Sequence, residues 1–175
     1  MEKQFLISLL ESGIKLNRAL VVKLFELPDA TEIVKAYLSR NYFTAFDNLQ
    51  LLMFGRPDSP ELILYYVEQG YGINPQIEEK LFELPNAEEV IKAYTAHHQL
   101  YSNLAQLKLF MFPDVVDILR TYIRNGHPLN AKAQVKLFDL PAPYAEEMVK
   151  LYKAKNFELC RNFRHLLRKN RWHKN

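Results

Sequence analysis

The chain of 175 residues has little cysteine, glycine and tryptophan, and each shortage excludes a class of structure. A single cysteine, Cys160, forms neither an intramolecular disulfide nor a cysteine zinc cage, which favours a reducing compartment. Five glycines and nine prolines are too few for a loop-rich β fold or a disordered chain. The apolar run at 5–10 is too short for a signal peptide, and no stretch approaches the ~20 apolar residues of a membrane span. We therefore expect a cytoplasmic protein that makes no contact with a membrane.

The motifs of common enzymes are also missing, since the sequence contains no GxSxG, GxxxxGKS, GxGxxG or HExxH. The adjacent His97 and His98 would point about 100° apart on a helix, so they do not form a chelating pair. Cys160 is more simply a small apolar residue of the last helix than a nucleophile assisted by basic neighbours. We predict no catalytic residue, no metal site and no cofactor.

Five copies of one short pattern run through the chain. LFELP occurs at 24–28 and 81–85, LFDLP at 137–141, and looser copies lie at 53–57 and 109–113. The phenylalanines of these copies are spaced by 29, 28, 28 and 28 residues, and a tyrosine follows each copy. A fixed period of this kind indicates a repeat architecture. The repeated aromatic residues are Phe25, Phe54, Phe82, Phe110 and Phe138, followed by Tyr37, Tyr66, Tyr94, Tyr122 and Tyr152.

Each copy has the pattern of two short helices. Apolar residues before the Phe recur at helical steps, and an N-cap is expected eight residues before it, at Asn17, Asn74 and Asn130. A second helix should follow the proline, with an acidic residue three positions after its cap, as in a capping box. Its expected caps are Asp29, Asp58, Asn86 and Asp114. We expect the Phe and Tyr rows to form the core between copies, and glycines 13, 70 and 126 to end helices.

These patterns predict an all-α fold, a right- or left-curving α-solenoid (superhelix) of about twelve short helices in a single domain over 1–175. Residues 1–13 would form an N-terminal half-unit, residues 14–156 five full hairpins of 28 residues, and residues 157–175 a basic capping helix and tail.

Phrases such as LPNAEEVIKAY, at 84–94, resemble the short tandem helical repeats of uncharacterised bacterial proteins. Over roughly residues 4–168 the chain also resembles the wider α-solenoid class that includes TPR and HEAT repeats, although its period is shorter and their motif residues are absent. The resemblance implies stacked helical hairpins, and it implies no activity, cofactor or site residue.

The net charge of +3 conceals an uneven distribution. Residues 150–175 hold nine basic residues and one acidic residue, a net +8, whereas residues 1–149 hold fourteen basic and nineteen acidic residues, a net −5. A second regularity is a lysine two residues before the Phe in four copies, at Lys23, Lys80, Lys108 and Lys136. This row favours an anionic partner along one face, but acidic residues three positions on, as in Lys136–Asp139, also suit a solvated, ion-paired face.

Two kinds of partner follow from these charges. We expect a non-catalytic scaffold that holds a protein or peptide on one helical face, by analogy with other solenoids. The alternative is a nucleic-acid-binding module that uses the basic C-terminal face, because basic residues with an aromatic suit phosphate contact and stacking. The candidate residues of that face are Arg161, Arg164, Arg168, Lys169, Arg171 and Trp172. Aromatic residues off the repeat pattern form a candidate rim: Tyr42, Phe43, Tyr65, Tyr71 and Tyr101.

Overall fold

A computed structural model describes residues 2–28, 30–40, 49–97 and 99–169, and every regular element in these ranges is a helix. The α-helices are α1 (Glu2–Glu11), α2 (Arg18–Glu26), α3 (Thr31–Ser39), α4 (Leu49–Phe54), α5 (Ser59–Glu68), α6 (Ala87–Ala96), α7 (Asn103–Lys108), α8 (Val115–Arg124), α9 (Ala131–Lys136), α10 (Ala142–Ala154) and α11 (Arg161–Lys169). The first helix of the third copy is a 3-10 helix (Glu78–Glu83), and α7 and α9 each continue into a 3-10 turn. The predicted all-α class is confirmed.

The chain divides into two compact units, Met1–His97 (unit 1) and His98–Asn175 (unit 2). We use the name first helices for the helices that carry the Phe positions, for α7 and α9, whose 3-10 turns carry them, and also for α11. Second helices are the helices that carry the Tyr positions. In unit 1, α2 packs against α4, and α5 packs against α3 and α6. In unit 2, α9 packs against α7 and α11, while α8 packs against α10. First helices therefore lie beside first helices within each unit. A single domain and a continuous superhelix stay predictions.

The tyrosine row lies in the core, as the sequence predicts, with each of the five side chains at most 3% exposed. Burial raises the pKa of the hydroxyls of Tyr37, Tyr66 and Tyr152 above the usual value, because it disfavours the phenolate. The hydroxyls of Tyr66 and Tyr152 keep hydrogen-bond partners, and that of Tyr152 donates to the Leu129 carbonyl at 3.1 Å. A tyrosine at this position thus supplies both apolar surface and a buried polar contact.

The phenylalanine row is not the centre of the core, and this prediction is wrong for four of its five members. Phe25 is buried, but the other four phenylalanines are half-buried. The fully buried position is the residue immediately before each Phe: Leu24, Met53, Leu81, Leu109 and Leu137. Consecutive residues of a helix point about 100° apart, so only one of two adjacent apolar side chains faces the centre of the core.

A buried glutamine, which the sequence patterns did not single out, ties one copy to the next. Gln134 donates through Nε2 to the Tyr152 hydroxyl at 3.1 Å, and its Oε1 accepts from the Cys160 backbone N–H at 2.8 Å. Gln50 and Gln106, 28 residues or a multiple of 28 earlier, make the same contacts with Tyr66 and Tyr122 and with the N–H groups of Asn74 and Asn130. The third copy has the buried Glu78 at this position.

Replacing Gln134 by leucine should lower the free energy of unfolding by about 1–3 kcal/mol. The apolar side chain fills similar space but leaves the Cys160 N–H and the Leu129 carbonyl with one hydrogen bond fewer, and buried unsatisfied groups carry costs of this size. Urea unfolding followed by circular dichroism measures the change. Gln69→Leu, on an exposed glutamine, is the control, and equal stability of the two variants would contradict the role of Gln134.

The predicted helix caps form two groups, which differ in backbone conformation and in whether the side chain makes a capping hydrogen bond. Asn17 and Asn130 lie in extended backbone, and their side chains accept from N–H groups of the first turn of α2 and α9, as predicted. Asn74 accepts from the Gln76 N–H in a turn, four residues before the 3-10 helix begins. Asp58, Asn86 and Asp114 are the N-caps of α5, α6 and α8, as predicted, but they have ψ between 15° and 30° and make no side-chain cap bond, so the capping boxes predicted at Asp58 and Asn86 are wrong. Asp29 lies outside the described residues.

The glycine turns form as expected. Gly13, Gly70 and Gly126 have φ of +73°, +82° and +94°, in the left-handed region that glycine adopts without strain, and Asn156 takes φ +57° at the same point of the fifth copy. The aromatic residue that follows lies against the buried tyrosine. Tyr71 stacks on Tyr66 with ring centroids 4.9 Å apart, so this member of the predicted rim is a packing residue.

Ion pairs on the second helices also join successive copies. Arg120 of α8 donates through Nε and Nη2 to the Glu147 carboxylate of α10 at 2.6 and 2.9 Å. These bonds hold the pKa of Glu147 below its usual range, against the opposing effect of burial. Lys35 of α3 pairs in the same way with Glu61 of α5. Glu61 was predicted to complete a capping box, and it bonds to the preceding copy instead.

Candidate binding surface

Helix α11 separates an apolar face from a basic face. Phe163 and Leu167, four residues apart, are buried, whereas the predicted site residues Arg161, Arg164, Arg168 and Lys169 are all exposed. At 100° per residue these four cations and His165 cover one continuous arc of about 140°. Arg171 and Trp172 were predicted as part of the same face and lie outside the described residues.

The position of α11 is set by contacts with the fifth copy. The ring of Phe163 lies 4.8 Å from that of Phe138, centroid to centroid. The Cys160 backbone N–H donates to Gln134, and the Cys160 sulfur accepts from the Phe163 N–H at 3.4 Å. The half-buried cysteine thus stands at the start of α11 and helps to orient it. These contacts direct the basic arc away from the core of unit 2.

The lysine row is divided between the two units. Lys23 of α2 and Lys80 of the 3-10 helix are exposed in unit 1. In unit 2, Lys136 of α9 is exposed and Lys108 of α7 is half-buried. The ammonium of Lys136 lies 3.5 Å from the Asp139 carboxylate, so the predicted pairing within the copy is present here. Such an exposed pair contributes little to stability.

Unit 2 collects basic residues on its first helices. Helices α7, α9 and α11 carry seven lysines and arginines and no acidic residue. The second helices of the same unit differ, because α8 carries Asp117 and α10 carries Glu146 and Glu147 among their cations. Since α9 packs against both α7 and α11, the three helices form one layer of a single charge sign. We call this surface the basic layer. Its cations are Lys108, Lys132, Lys136, Arg161, Arg164, Arg168 and Lys169.

A groove crosses the basic layer between α7 and α9. Leu104 and Leu107 line it from α7, and Ala131 and Lys132 from α9, around a volume of about 390 Å³. Leu104 is 49% exposed, so it presents apolar surface at the edge of the groove. The Asn130 side chain fixes the spacing of the two helices, because its Nδ2 donates to the Asn103 carbonyl at 3.0 Å and to Gln106 at 2.9 Å.

The sequence patterns did not predict the groove or Lys132, although one feature of the sequence indicates the basic layer. The segments 103–108, 131–136 and 161–169 contain no aspartate or glutamate, whereas the neighbouring segments do. A count of charges for each predicted helix, in place of the count for residues 1–149 and 150–175, distinguishes the basic first helices of unit 2 from its ion-paired second helices.

The aromatic rim was predicted in part wrongly, since Tyr101 is 3% exposed and packs against Tyr122. Tyr42 and Phe43 lie outside the described residues.

Among the described residues, no group of three or more His, Cys, Asp or Glu side chains is placed to hold a metal ion. No family model, curated protein or solved structure matches the chain. In the part of the chain that the structure describes, no helix combines the length and the apolar character needed to cross a membrane.

Proposed function

We propose that the chain is a non-catalytic scaffold that binds an acidic protein or peptide on the basic layer of unit 2. The observation that carries this proposal is the absence of any acidic residue from α7, α9 and α11 while their cations stand exposed or half-exposed. Cations that share one face without intervening acids raise the local potential and attract anionic segments from a distance. Asp139, which pairs with Lys136 next to the layer, offsets only one of these charges.

The groove favours a peptide over a bare polyanion. An exposed leucine beside cations matches a partner that carries both apolar and acidic side chains, whereas a phosphate backbone offers no apolar group. Among the described exposed side chains of α7, α9 and α11, the one large apolar residue is Leu104, which is not aromatic. Bases stack on aromatic side chains, and His165 is the one exposed aromatic ring on the described residues of α7, α9 and α11, so the layer provides little stacking surface for a nucleic acid.

Nucleic-acid binding is a second candidate, and the arc on α11 favours it. Arg161, Arg164 and Arg168 recur at helical spacing with exposed side chains, which suits contact with successive phosphates. The two candidates differ in salt dependence and in selectivity. A phosphate-directed surface loses affinity steeply as salt rises and prefers duplex DNA or RNA to polyglutamate.

Replacing Arg161, Arg164, Arg168 and Lys169 together by serine should reduce the affinity for fluorescein-labelled polyglutamate about tenfold or more. Exposed ion pairs contribute about 0.2–1 kcal/mol each, and 1.4 kcal/mol corresponds to tenfold. Fluorescence anisotropy at low and at physiological salt measures the change, with mixed-sequence duplex DNA and RNA titrated in parallel.

The matched control is the triple variant of Lys150, Lys153 and Lys155 to serine, which removes exposed cations from the second-helix side of the same unit. This control should keep most of the affinity of the unaltered chain. Equal weakening by both variants would mean that net charge, and not the basic layer, drives binding. Tighter binding of DNA or RNA than of polyglutamate would replace the peptide scaffold by the second candidate.

A further inference from the structure

The groove between α7 and α9 offers more than charge. It is bounded on one side by the exposed Leu104 and the half-buried Leu107, and on the other by Ala131. Its volume of about 390 Å³ is within the range of about 300–1,000 Å³ typical of ligand pockets. An apolar side chain that enters it would remove these carbon atoms from water, which is favourable in proportion to the area covered.

The rim of the groove is basic on the side of α9 and on the neighbouring helices. Lys132 lines the groove, and Lys136 lies one turn further along α9. Arg161 and Arg164 stand on α11, which packs against the other side of α9. The groove is thus an apolar recess inside a cationic surface, and an occupant must satisfy both properties.

A second groove, in unit 1, lacks this combination of an apolar recess and exposed cations among its described lining residues. It lies between the ends of α2 and α4 and includes the exposed Leu51, but its charged members are Glu26 and Arg56. Arg56 is committed to the Asp58 carboxylate and to backbone carbonyls. Arg56 is the one cation among the described lining residues of this groove, so charge complementarity favours the groove of unit 2 over it.

We infer that the groove between α7 and α9 binds one large aliphatic side chain of an acidic peptide segment, with the flanking carboxylates of that segment on Lys132 and the cations of α11. This inference rests on the proposed function and adds the anchor that gives it selectivity. The basic layer supplies attraction at long range, and the groove distinguishes a peptide with an apolar anchor from other anions. The hydrogen bonds of Asn130 to the Asn103 carbonyl and to Gln106 join α9 to α7 beside the recess.

The test compares two short fluorescein-labelled peptides, one with a single leucine flanked by glutamates and one with serine in place of that leucine. The unaltered chain should bind the leucine peptide about fivefold to tenfold more tightly than the serine peptide. Leu104→Asn should abolish this preference, because it removes the exposed apolar wall, and should leave the affinity for the serine peptide unchanged. Leu51→Asn, on the 43% exposed leucine of the groove in unit 1, is the matched control and should keep the preference.

Each other outcome has a distinct meaning. Equal binding of the two peptides, together with weakening by the serine variant of α11, would overturn the groove as an anchor site while keeping the acidic-partner scaffold. Failure of both peptides to bind at low salt would overturn the inference and the proposed function together. Binding of RNA or duplex DNA that displaces the leucine peptide, with no effect of Leu104→Asn on either, would overturn both in favour of a nucleic-acid surface.

Discussion

Arg56→Met should lower the free energy of unfolding by about 3–5 kcal/mol, the range expected when one partner of a buried ion pair is removed. Arg56 is 7% exposed, although it is an arginine in a position where three of the other copies have leucine. Its Nε and Nη2 donate to the two Asp58 carboxylate oxygens at 2.7 and 2.9 Å. Methionine keeps much of the volume of the apolar part of the arginine side chain, so the loss of unfolding free energy comes mainly from the missing polar contacts.

The same guanidinium also caps the preceding copy. Its Nη1 donates to the carbonyls of Phe25 and Leu27 at 2.5 and 2.8 Å, where α2 ends and its last carbonyls have no partner within the helix. A cation at a helix C-terminus is also favoured by the helix dipole. Arg56→Met therefore removes one link between the first and second copies as well as the ion pair.

The dependence on pH follows from Asp58. Burial raises the pKa of this carboxyl, but the hydrogen bonds and charge of Arg56 and the hydrogen bond from Thr31 outweigh burial and hold the pKa below its usual value of about 3.9. Because the folded-state pKa is depressed, the pair contributes stability above the unfolded pKa and loses it as pH falls through the folded pKa. The difference between the unaltered chain and Arg56→Met should therefore shrink below about pH 4.

Guanidinium unfolding at pH 7 and at a series of acidic values measures both effects. Arg40→Met is the control, because Arg40 is exposed, and surface substitutions of this kind stay within about 0.5 kcal/mol. A loss below about 1 kcal/mol for Arg56→Met, or a difference that grows on acidification, would contradict the role assigned to the pair.

Leu81→Ala should destabilise the chain more than Phe82→Ala, although phenylalanine is the larger residue. Leu81 is 0% exposed, and a leucine-to-alanine change at such a site costs about 2–5 kcal/mol through lost burial and the cavity left behind. Phe82 is half-buried, so we expect about 1–2.5 kcal/mol for its removal. From the sequence alone, the phenylalanine row was expected to form the core between copies.

Urea unfolding of both variants decides the order. The equivalent pair in the fifth copy, Leu137→Ala and Phe138→Ala, serves as an internal repetition, since Leu137 is 1% exposed and Phe138 is half-buried. The first substitution should be the more damaging in both copies. If the phenylalanine substitution lowered the free energy of unfolding more than the leucine substitution in either copy, the phenylalanine row would form the centre of the core after all.

Features that depend on a single residue and its neighbours could be predicted from the sequence. The left-handed turns at Gly13, Gly70 and Gly126 follow from the freedom of glycine at positive φ. The five tyrosines were expected in the core because they lie at the centre of the apolar stripes of the second helices. The helix caps at Asn17 and Asn130 follow from side-chain length and extended backbone.

Features that depend on how two copies meet could not be predicted. Arg56, in one of the two looser copies of the pattern, was not singled out, yet it bonds to carbonyls 28 to 31 residues earlier in the chain. Glu61 has the spacing of a capping residue, but the packing of α3 against α5 brings Lys35 to it instead. A short motif specifies a local conformation, and it carries no information on which partner competes for the side chain.

By itself, the sequence determined that this protein is built of paired short helices with one buried tyrosine in each copy, because helical periodicity and a fixed period are properties of the chain alone. Only the tertiary structure decided which of two adjacent apolar residues enters the core and which glutamine spans to the next copy. It also decided that the cations of α7, α9 and α11 share one layer. The physical reason is geometric: a rotation of one helix by about 100° exchanges its buried and exposed residues, and that rotation is set by the neighbouring helices.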